Sequence, residues 1–90
     1  MKQQDKDEWW LYLVRCASGA LYCGIAKDVE ARVTTHNAGM GAKAVKALGM
    51  PVTLAFKAFA GTRSNALKME RMVKAFSKDQ KEHLVRGWAR

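Results

Sequence analysis

Short apolar runs, separated by turn-forming and charged residues, divide the chain into predicted strands and helices. Residues 9–16 and 21–25 are rich in aromatic and other strand-forming side chains, and residues 17–20 between them are typical of a turn. These two runs predict a β-hairpin. A third strand is predicted over 52–59, ending at Gly61.

Helix signals occupy most of the remaining chain. Asp28 is a favourable N-cap for a helix that runs to about Asn37. A second helix is predicted over 63–76, which contains many good helix formers. Residues 77–80 (SKDQ) fit the capping-box pattern and predict a final helix through about Arg86.

The segment between the first helix and the third strand is less regular. Residues 38–50 contain three glycines together with Lys43 and Lys46, which predicts a mobile basic loop with room for one helical turn. The predicted element order is therefore ββαβαα. This order is typical of an α+β fold, a small antiparallel three-stranded sheet flanked by helices.

The length of the hairpin loop decides whether its two tyrosines share a face of the sheet. A four-residue loop would place Tyr12 and Tyr22 on opposite faces. An odd loop, with Gly19 in a left-handed position, would place them on the same face. The sequence permits both arrangements.

Two polar residues lie where the helical period favours apolar ones. A step of about 100° per residue places Arg32 and His36 on the same arc as the two valines of the first helix. Either residue alone has an ordinary explanation, an arginine that extends to solvent or a histidine bonded to a backbone carbonyl. Together, one turn apart beside the valines, they favour a functional site.

Glu70 is a comparable exception in the helix over 63–76, where it lies at the edge of the apolar arc. It is the only acidic residue between Glu30 and Asp79. One interpretation is an internal salt bridge, for instance to Arg32. The other is a single carboxylate that binds a divalent cation together with water and phosphate oxygens, as is common for Mg²⁺.

Composition indicates one small domain. The chain has 90 residues, of which 49% are hydrophobic, enough for a single domain over 9–86 with a disordered polar segment over 1–8 and a tail over 87–90. Neither a run of about 20 apolar residues nor a secretory signal is evident, so no membrane association and a cytoplasmic location are expected. Cys16 and Cys23 match no zinc-binding spacing and are expected to be free thiols.

The net charge of +8 favours a polyanionic partner. Solubility alone is the competing explanation. The expected partner is nucleic acid, with DNA preferred, and the basic residues expected to contact it flank the polar positions described above. They are Lys27, Lys43, Lys46, Arg63, Lys68 and Arg71.

At these positions the chain resembles the GIY-YIG nuclease superfamily. The two short strand motifs of that family correspond to residues 11–13 (LYL) and 22–24 (YCG). Arg32, His36 and Glu70 follow in the order and spacing of the family. The resemblance covers nearly the whole chain from residue 9 and is closest to small bacterial proteins that consist of little but this domain.

The resemblance implies a metal-dependent endonuclease that hydrolyses phosphodiester bonds in DNA. It implies that Tyr22, assisted by Tyr12, is the general base or proton relay for the attacking water. Arg32 would stabilise the pentavalent phosphate, His36 would share the base role, and Glu70 would be the protein ligand of Mg²⁺ or Mn²⁺. Phosphodiester hydrolysis requires these three contributions: an activated water, charge neutralisation and a metal.

Two other function classes remain open from the sequence. The first is a nucleic-acid-binding module of the same fold with little or no turnover. The second is a protein-interaction adaptor that uses Trp88 and the basic tail. The complete set of five site residues favours the enzyme, and a protein partner that supplies substrate affinity is compatible with it.

Overall fold

The structure is a computed structural model that describes residues 8–88. Three strands, β1 (Trp9–Arg15), β2 (Leu21–Ala26) and β3 (Thr53–Gly61), form an antiparallel sheet in the order β2-β1-β3. Its helices are α1 (Val29–Asn37), α2 (Lys43–Leu48), α3 (Arg63–Lys74) and α4 (Lys78–Trp88). The predictions made for residues 1–7 and 89–90 lie outside the described residues.

This architecture confirms the predicted α+β fold. The segment predicted as a basic loop contains the helix α2, which is anchored by the fully buried side chain of Val45. Helix α3 ends at Lys74, slightly earlier than predicted, and α4 continues beyond Arg86 to Trp88. The element order is therefore ββααβαα.

The central strand β1 is buried on both faces of the sheet. Leu11 points to one face, where it joins a core cluster with Val73 of α3. Tyr12 points to the other face, where Val29 of α1 and Val45 of α2 complete a second cluster. We call these the Leu11 face and the Tyr12 face. Because both are covered, the central strand is apolar along most of its length rather than alternating.

The hairpin has the odd loop that places both tyrosines on one face. Arg15 pairs with Leu21, which leaves residues 16–20 for the connection. Gly19 adopts a φ of 95°, a left-handed conformation that favours glycine. Tyr12 and Tyr22 both lie on the Tyr12 face, because residues in register share a face and the side-chain period of a strand is two.

Backbone and side-chain hydrogen bonds fix the segment that contains α2. The amide of Asn37 brackets the backbone of Val52: its Nδ2 donates to the carbonyl oxygen at 3.1 Å, and its Oδ1 accepts from the N–H at 2.7 Å. The N–H of Ala17 in the hairpin loop donates to the carbonyl of Gly49 at 3.0 Å. These bonds join the two ends of the segment to each other and attach its end at Gly49 to the hairpin loop.

The predicted helix caps are present. The Asp28 carboxylate accepts the N–H of Ala31 at 3.0 Å and caps α1. Ser77 and Gln80 form a reciprocal capping box: the Ser77 hydroxyl accepts the N–H of Gln80 at 3.1 Å, and the Gln80 side chain accepts the N–H of Ser77 at 2.8 Å. The starts of both helices are therefore encoded locally.

An ion pair attaches α4 to the sheet. The guanidinium of Arg15 binds both carboxylate oxygens of Glu82, with 2.8 Å between Nη2 and Oε1. The hydrogen bonds from Arg15 lower the pKa of Glu82 to about 2. This bidentate contact fixes the orientation of α4 across the Leu11 face.

The two cysteines are free and buried, as expected. Cys16 belongs to the cluster on the Tyr12 face and Cys23 to the cluster on the Leu11 face, so the sheet lies between them. Within residues 8–88, no helix has the length and apolar character needed to cross a membrane.

The pairing of Tyr12 with Gly24 yields a stability prediction. A Cβ atom at position 24 would lie 2.6 Å from the Tyr12 hydroxyl oxygen and 2.8 Å from ring carbon Cζ. We expect Gly24→Ala to lower the free energy of unfolding by about 1–3 kcal/mol, the usual cost of overpacking. Urea denaturation measures this change.

The control is Gly87→Ala in α4, where the added Cβ would meet open space. Alanine favours a helix over glycine by about 1 kcal/mol, so this variant should be as stable as the parent or slightly more stable. If Gly24→Ala behaved in the same way, the close contact between Gly24 and Tyr12 would not constrain the fold.

Candidate active site

The centre of the site is a hydrogen bond between two buried side chains. Tyr12 and His36 are each 1% exposed. The Tyr12 hydroxyl oxygen lies 3.0 Å from Nε2 of His36, which joins the central strand to the last turn of α1. The ring of Tyr22 meets the imidazole edge-on, with 5.7 Å between the ring centroids. Two tyrosines and one histidine thus form one aromatic cluster.

The chain that follows α1 closes over the imidazole. Gly41 lies so close to His36 that an added Cβ would collide with Nδ1 and with the ring carbons. Nδ1 is buried and has no hydrogen-bond partner among the described residues. Only a residue without a side chain fits at position 41 in this arrangement.

The tautomer of His36 decides which member of the pair donates the hydrogen bond. A proton on Nδ1 would leave a buried N–H donor without an acceptor, which typically costs about 1–3 kcal/mol. With the proton on Nε2, that nitrogen donates to the Tyr12 hydroxyl oxygen and Nδ1 holds only a lone pair. In that tautomer the buried Tyr12 O–H in turn has no acceptor among the described residues, so one donor of the pair lacks a partner whichever nitrogen carries the proton.

Burial controls the ionisation of this pair. It raises the pKa of Tyr12 to about 12, an effect that the neighbouring Tyr22 reinforces and Arg32 partly opposes. Burial also lowers the pKa of His36 below its ordinary value, and the charge of Arg32 lowers it further. At neutral pH both side chains are therefore uncharged.

Arg32 lies at the solvent-exposed rim of the cluster. It precedes His36 by one turn of α1, and its charge acts on both Tyr12 and His36. Its side chain also lines a surface groove between α1 and the end of β2. A cation is thus positioned where the buried cluster opens to solvent.

Glu70 lies on the other side of the sheet. Its helix, α3, packs on the Leu11 face. The Glu70 carboxylate forms an ion pair with Nζ of Lys74 at 3.3 Å, and its side chain is 21% exposed. Burial raises the pKa of Cys23 to about 11, and the charge of Glu70 adds to this effect. Glu70 is therefore near β2, on the face opposite the aromatic cluster.

Four of the five site residues predicted from the sequence are thus brought together. Tyr12, Tyr22, Arg32 and His36 share the Tyr12 face, whereas Glu70 belongs to the Leu11 face. The sheet separates the two groups, and its strand β2, which carries Tyr22, lies at the edge.

The six predicted DNA-contacting residues fall into three pairs. Lys27 and Arg63 both lie beside the ring of Trp9. Lys43 and Lys46 are exposed on α2, over the Tyr12 face. The third pair is exposed on α3, over the Leu11 face, and consists of Lys68 and Arg71.

Three residues near the site have a significance that the sequence interpretation missed. Gly24 and Gly41 each leave the space that a buried ring occupies, and Trp9 lines the groove beside Arg32. The glycines could have been recognised as positions of close approach. For Trp9 the available signal was an aromatic residue at a strand end, next to a polar site in a basic protein.

The described residues offer at most a single-carboxylate position for a metal ion. Residues 8–88 contain no cluster of three or more histidine, cysteine, aspartate or glutamate side chains that could enclose a cation. Glu70 offers a partly exposed hard oxygen ligand, and its contact with Lys74 is an exchangeable pair within one helix. Mg²⁺ commonly binds through one or two carboxylates and completes its coordination with waters and substrate phosphates.

Residues 8–83 match the family described as the GIY-YIG catalytic domain, and the chain belongs to this family. Membership implies a function of nuclease type and nucleic acid as the ligand. The family match spans all three strands and the aromatic cluster.

Named relatives are similar over most of their length. A UPF0213 protein of Pectobacterium carotovorum is 51% identical over 81 residues, which cover 90% of this chain and 81% of the relative. A UPF0213 protein of Yersinia pestis is 56% identical over 77 residues, covering 86% and 80%. A UPF0213 protein of Bacillus halodurans, solved by solution NMR, has a TM-score of 0.54 at 32% identity and covers 86% of this chain and 81% of its own.

The lowered pKa of His36 predicts how stability depends on pH. The unfolded chain, in which histidine titrates near pH 6.5, binds this proton more tightly than the folded protein does. The contribution of neutral His36 to the free energy of unfolding is therefore fully present above that pH. It is lost as the pH falls towards the lower pKa of the folded state. We expect the melting temperature to fall between pH 7 and pH 5.

The histidine variants assign this loss to one residue. His36→Gln should reduce the slope of melting temperature against pH over that range, and His83→Gln, at an exposed position of α4, should retain it. Equal slopes in the two variants would contradict the assignment.

Proposed function

We propose that this protein is a metal-dependent endonuclease that hydrolyses phosphodiester bonds in DNA. The observation that carries the proposal is the buried Tyr12–His36 hydrogen bond on a strongly basic domain. Tyr22 and Arg32 lie between this buried pair and solvent. The ionisation of both side chains is perturbed, and perturbed ionisation is common at catalytic sites.

The proton chemistry divides the roles of the two tyrosines. Tyr12, whose pKa is raised to about 12, stays protonated at neutral pH and acts as a hydrogen-bond donor. His36 acts as a positioning residue, because its Nε2 lies 3.0 Å from the Tyr12 hydroxyl oxygen and holds that hydroxyl in place. Tyr22 is half-buried and borders the same cluster. We therefore assign to Tyr22 the contact with the attacking water, as general base or proton relay.

Arg32 supplies the positive charge that the reaction requires. A pentavalent phosphate carries more negative charge on its equatorial oxygens than the substrate does, and a fixed guanidinium stabilises it. Arg32 has a suitable position, because it lies at the rim of the cluster and its charge acts on both Tyr12 and His36. The other lysine and arginine side chains of the domain contribute to DNA binding rather than to the chemical step.

Glu70 would hold the divalent cation, Mg²⁺ or Mn²⁺. When bound, such an ion withdraws charge from phosphate oxygens and lowers the pKa of coordinated water. Glu70 is suited to this role because it is the only acidic residue on α3. Its neighbours in sequence include lysines and arginines, which attract phosphate. Its ion pair with Lys74 is half-exposed and weak enough to be exchanged for a metal contact.

The same ion pair favours a second candidate function. If Lys74 remains bound to Glu70, the domain is a DNA-binding module of this fold with little or no turnover. Both functions predict binding that weakens with salt, so cleavage must separate them. The direct experiment incubates branched, nicked, single-stranded and duplex DNA with the protein and Mg²⁺ or Mn²⁺, beside Glu70→Ala.

A charge-neutral substitution sharpens that test. We expect Glu70→Gln to abolish cleavage and to leave DNA binding equal or tighter, because a carboxylate repels the phosphate backbone. The melting temperature should change little, since Lys74 is 53% exposed and a surface ion pair within one helix typically contributes only about 0.3–0.5 kcal/mol. Gel assays of cleavage, fluorescence anisotropy and thermal melts give the three readouts.

Glu30→Gln is the matched control, because Glu30 also forms a surface ion pair, with Nζ of Lys57 at 3.2 Å. It removes the same charge and should retain cleavage. Cleavage by Glu70→Gln, or wild-type cleavage that persists in excess EDTA, would exclude the metal role.

The basic residues of α2 provide a binding prediction. Neutralising Lys43 and Lys46 together should weaken binding to unrelated DNA sequences alike. The slope of log K against log salt should fall in magnitude by about 2 for duplex DNA, since each lost phosphate contact contributes about 0.9. A double neutralisation of Lys81 and Arg86 on α4 is the control. A loss confined to one DNA sequence would indicate base recognition instead.

A further inference from the structure

A groove adjoins the aromatic cluster and shares Arg32 with it. It lies between the end of β2 and α1, has a volume of about 430 Å³, and is lined by Trp9, Lys27 and Thr35 besides Arg32. This volume is within the range of roughly 300–1,000 Å³ that is typical of small-ligand sites. None of the roles assigned so far uses the aromatic wall of this groove.

The half-buried ring of Trp9 lines the groove, and two cations lie over it. Nζ of Lys27 lies 5.7 Å from the ring centroid, and the guanidinium carbon of Arg63 lies 5.6 Å from it. The pairing of β1 with β3 shifts register just after Trp9, and such shifts redirect a side chain at the end of a strand. The groove therefore combines a flat apolar wall with positive charge.

The neighbouring tryptophan has a different environment. Trp10 packs edge-on against Phe59 with 5.2 Å between ring centroids and belongs to the core on the Tyr12 face. The one carboxylate in the groove, that of Asp28, is engaged in capping α1. Core packing thus accounts for Trp10, whereas Trp9 is half-buried, belongs to neither core cluster and lies among three cations.

We propose that this groove binds one unpaired nucleotide adjacent to the phosphate at Arg32, with its base stacked on Trp9 and its own phosphate contacting Lys27 and Arg63. The inference rests on the proposed function and narrows its substrate class to DNA with a single-stranded segment at the cleavage site. A base in a duplex is already stacked on both sides, so only an unpaired base can offer its face to an aromatic side chain.

The test measures binding alone, in EDTA, with three fluorescent probes: a dT 12-mer, a 12-mer of abasic sites with the same backbone, and a 12-base-pair duplex. The wild type should bind the dT 12-mer about 5- to 150-fold more tightly than the abasic strand, the affinity carried by one base–aromatic stack. It should also bind the dT 12-mer more tightly than the duplex. Trp9→Leu should bring the ratio of dT to abasic affinity close to one.

Two further variants separate stacking from folding. Trp9→Phe keeps an aromatic face and should preserve most of the ratio, whereas Trp9→Leu keeps only the apolar volume. Trp88→Phe, on α4, alters an exposed tryptophan outside the groove and should leave the ratio unchanged. An unchanged ratio in Trp9→Leu, or wild-type binding of the duplex as tight as that of the dT 12-mer, would overturn the proposal.

The outcome is independent of catalysis. If the protein cleaves DNA but Trp9→Leu has the wild-type ratio, the groove proposal fails and the nuclease proposal stands. If Trp9 governs the ratio but Mg²⁺ or Mn²⁺ supports no cleavage, the nuclease proposal fails and the groove remains a site for an unpaired nucleotide.

Discussion

The buried side chain of Tyr12 is the contact on which both the sheet and the site depend. Its ring covers Gly24 of β2, and its hydroxyl meets His36 of α1. Burying a phenol or an imidazole without a hydrogen-bond partner is unfavourable. The hydrogen bond between the two side chains offsets part of this cost for both. The same burial shifts both pKa values, in opposite directions, towards the uncharged forms. The packing that builds the fold therefore also sets the protonation state of the site.

Features encoded by neighbouring residues were predictable from the sequence. The caps at Asp28 and Ser77 are present because a side chain there satisfies a backbone N–H only a few positions away. The shared helical arc of Arg32 and His36 follows from periodicity alone. The hairpin was ambiguous, since its register depends on the conformation of Gly19, which sequence permits but does not require.

Features that depend on distant contacts were not predictable. Helix α2 has no side-chain cap at Ala42, and it is held by the burial of Val45 against a sheet formed elsewhere in the chain. Periodicity placed Glu70 at the edge of a buried arc, but it does not state which face of the sheet α3 covers. Trp9 acquires its surroundings only when the N-terminus of α3 approaches the end of β2.

The order of the strands decides whether residues on opposite faces can act on one phosphate. Adjacent residues of a strand point to opposite faces, so Tyr22 and Cys23 of β2 face the aromatic cluster and the Glu70 side, respectively. If β2 were central, neighbouring strands would separate the two sides completely. β2 is an edge strand, so under the proposed mechanism the phosphodiester would cross the sheet at this edge. The proposed combination of Tyr22 with Glu70 therefore depends on β2 lying at the edge of the sheet, a position that the observed order β2-β1-β3 provides.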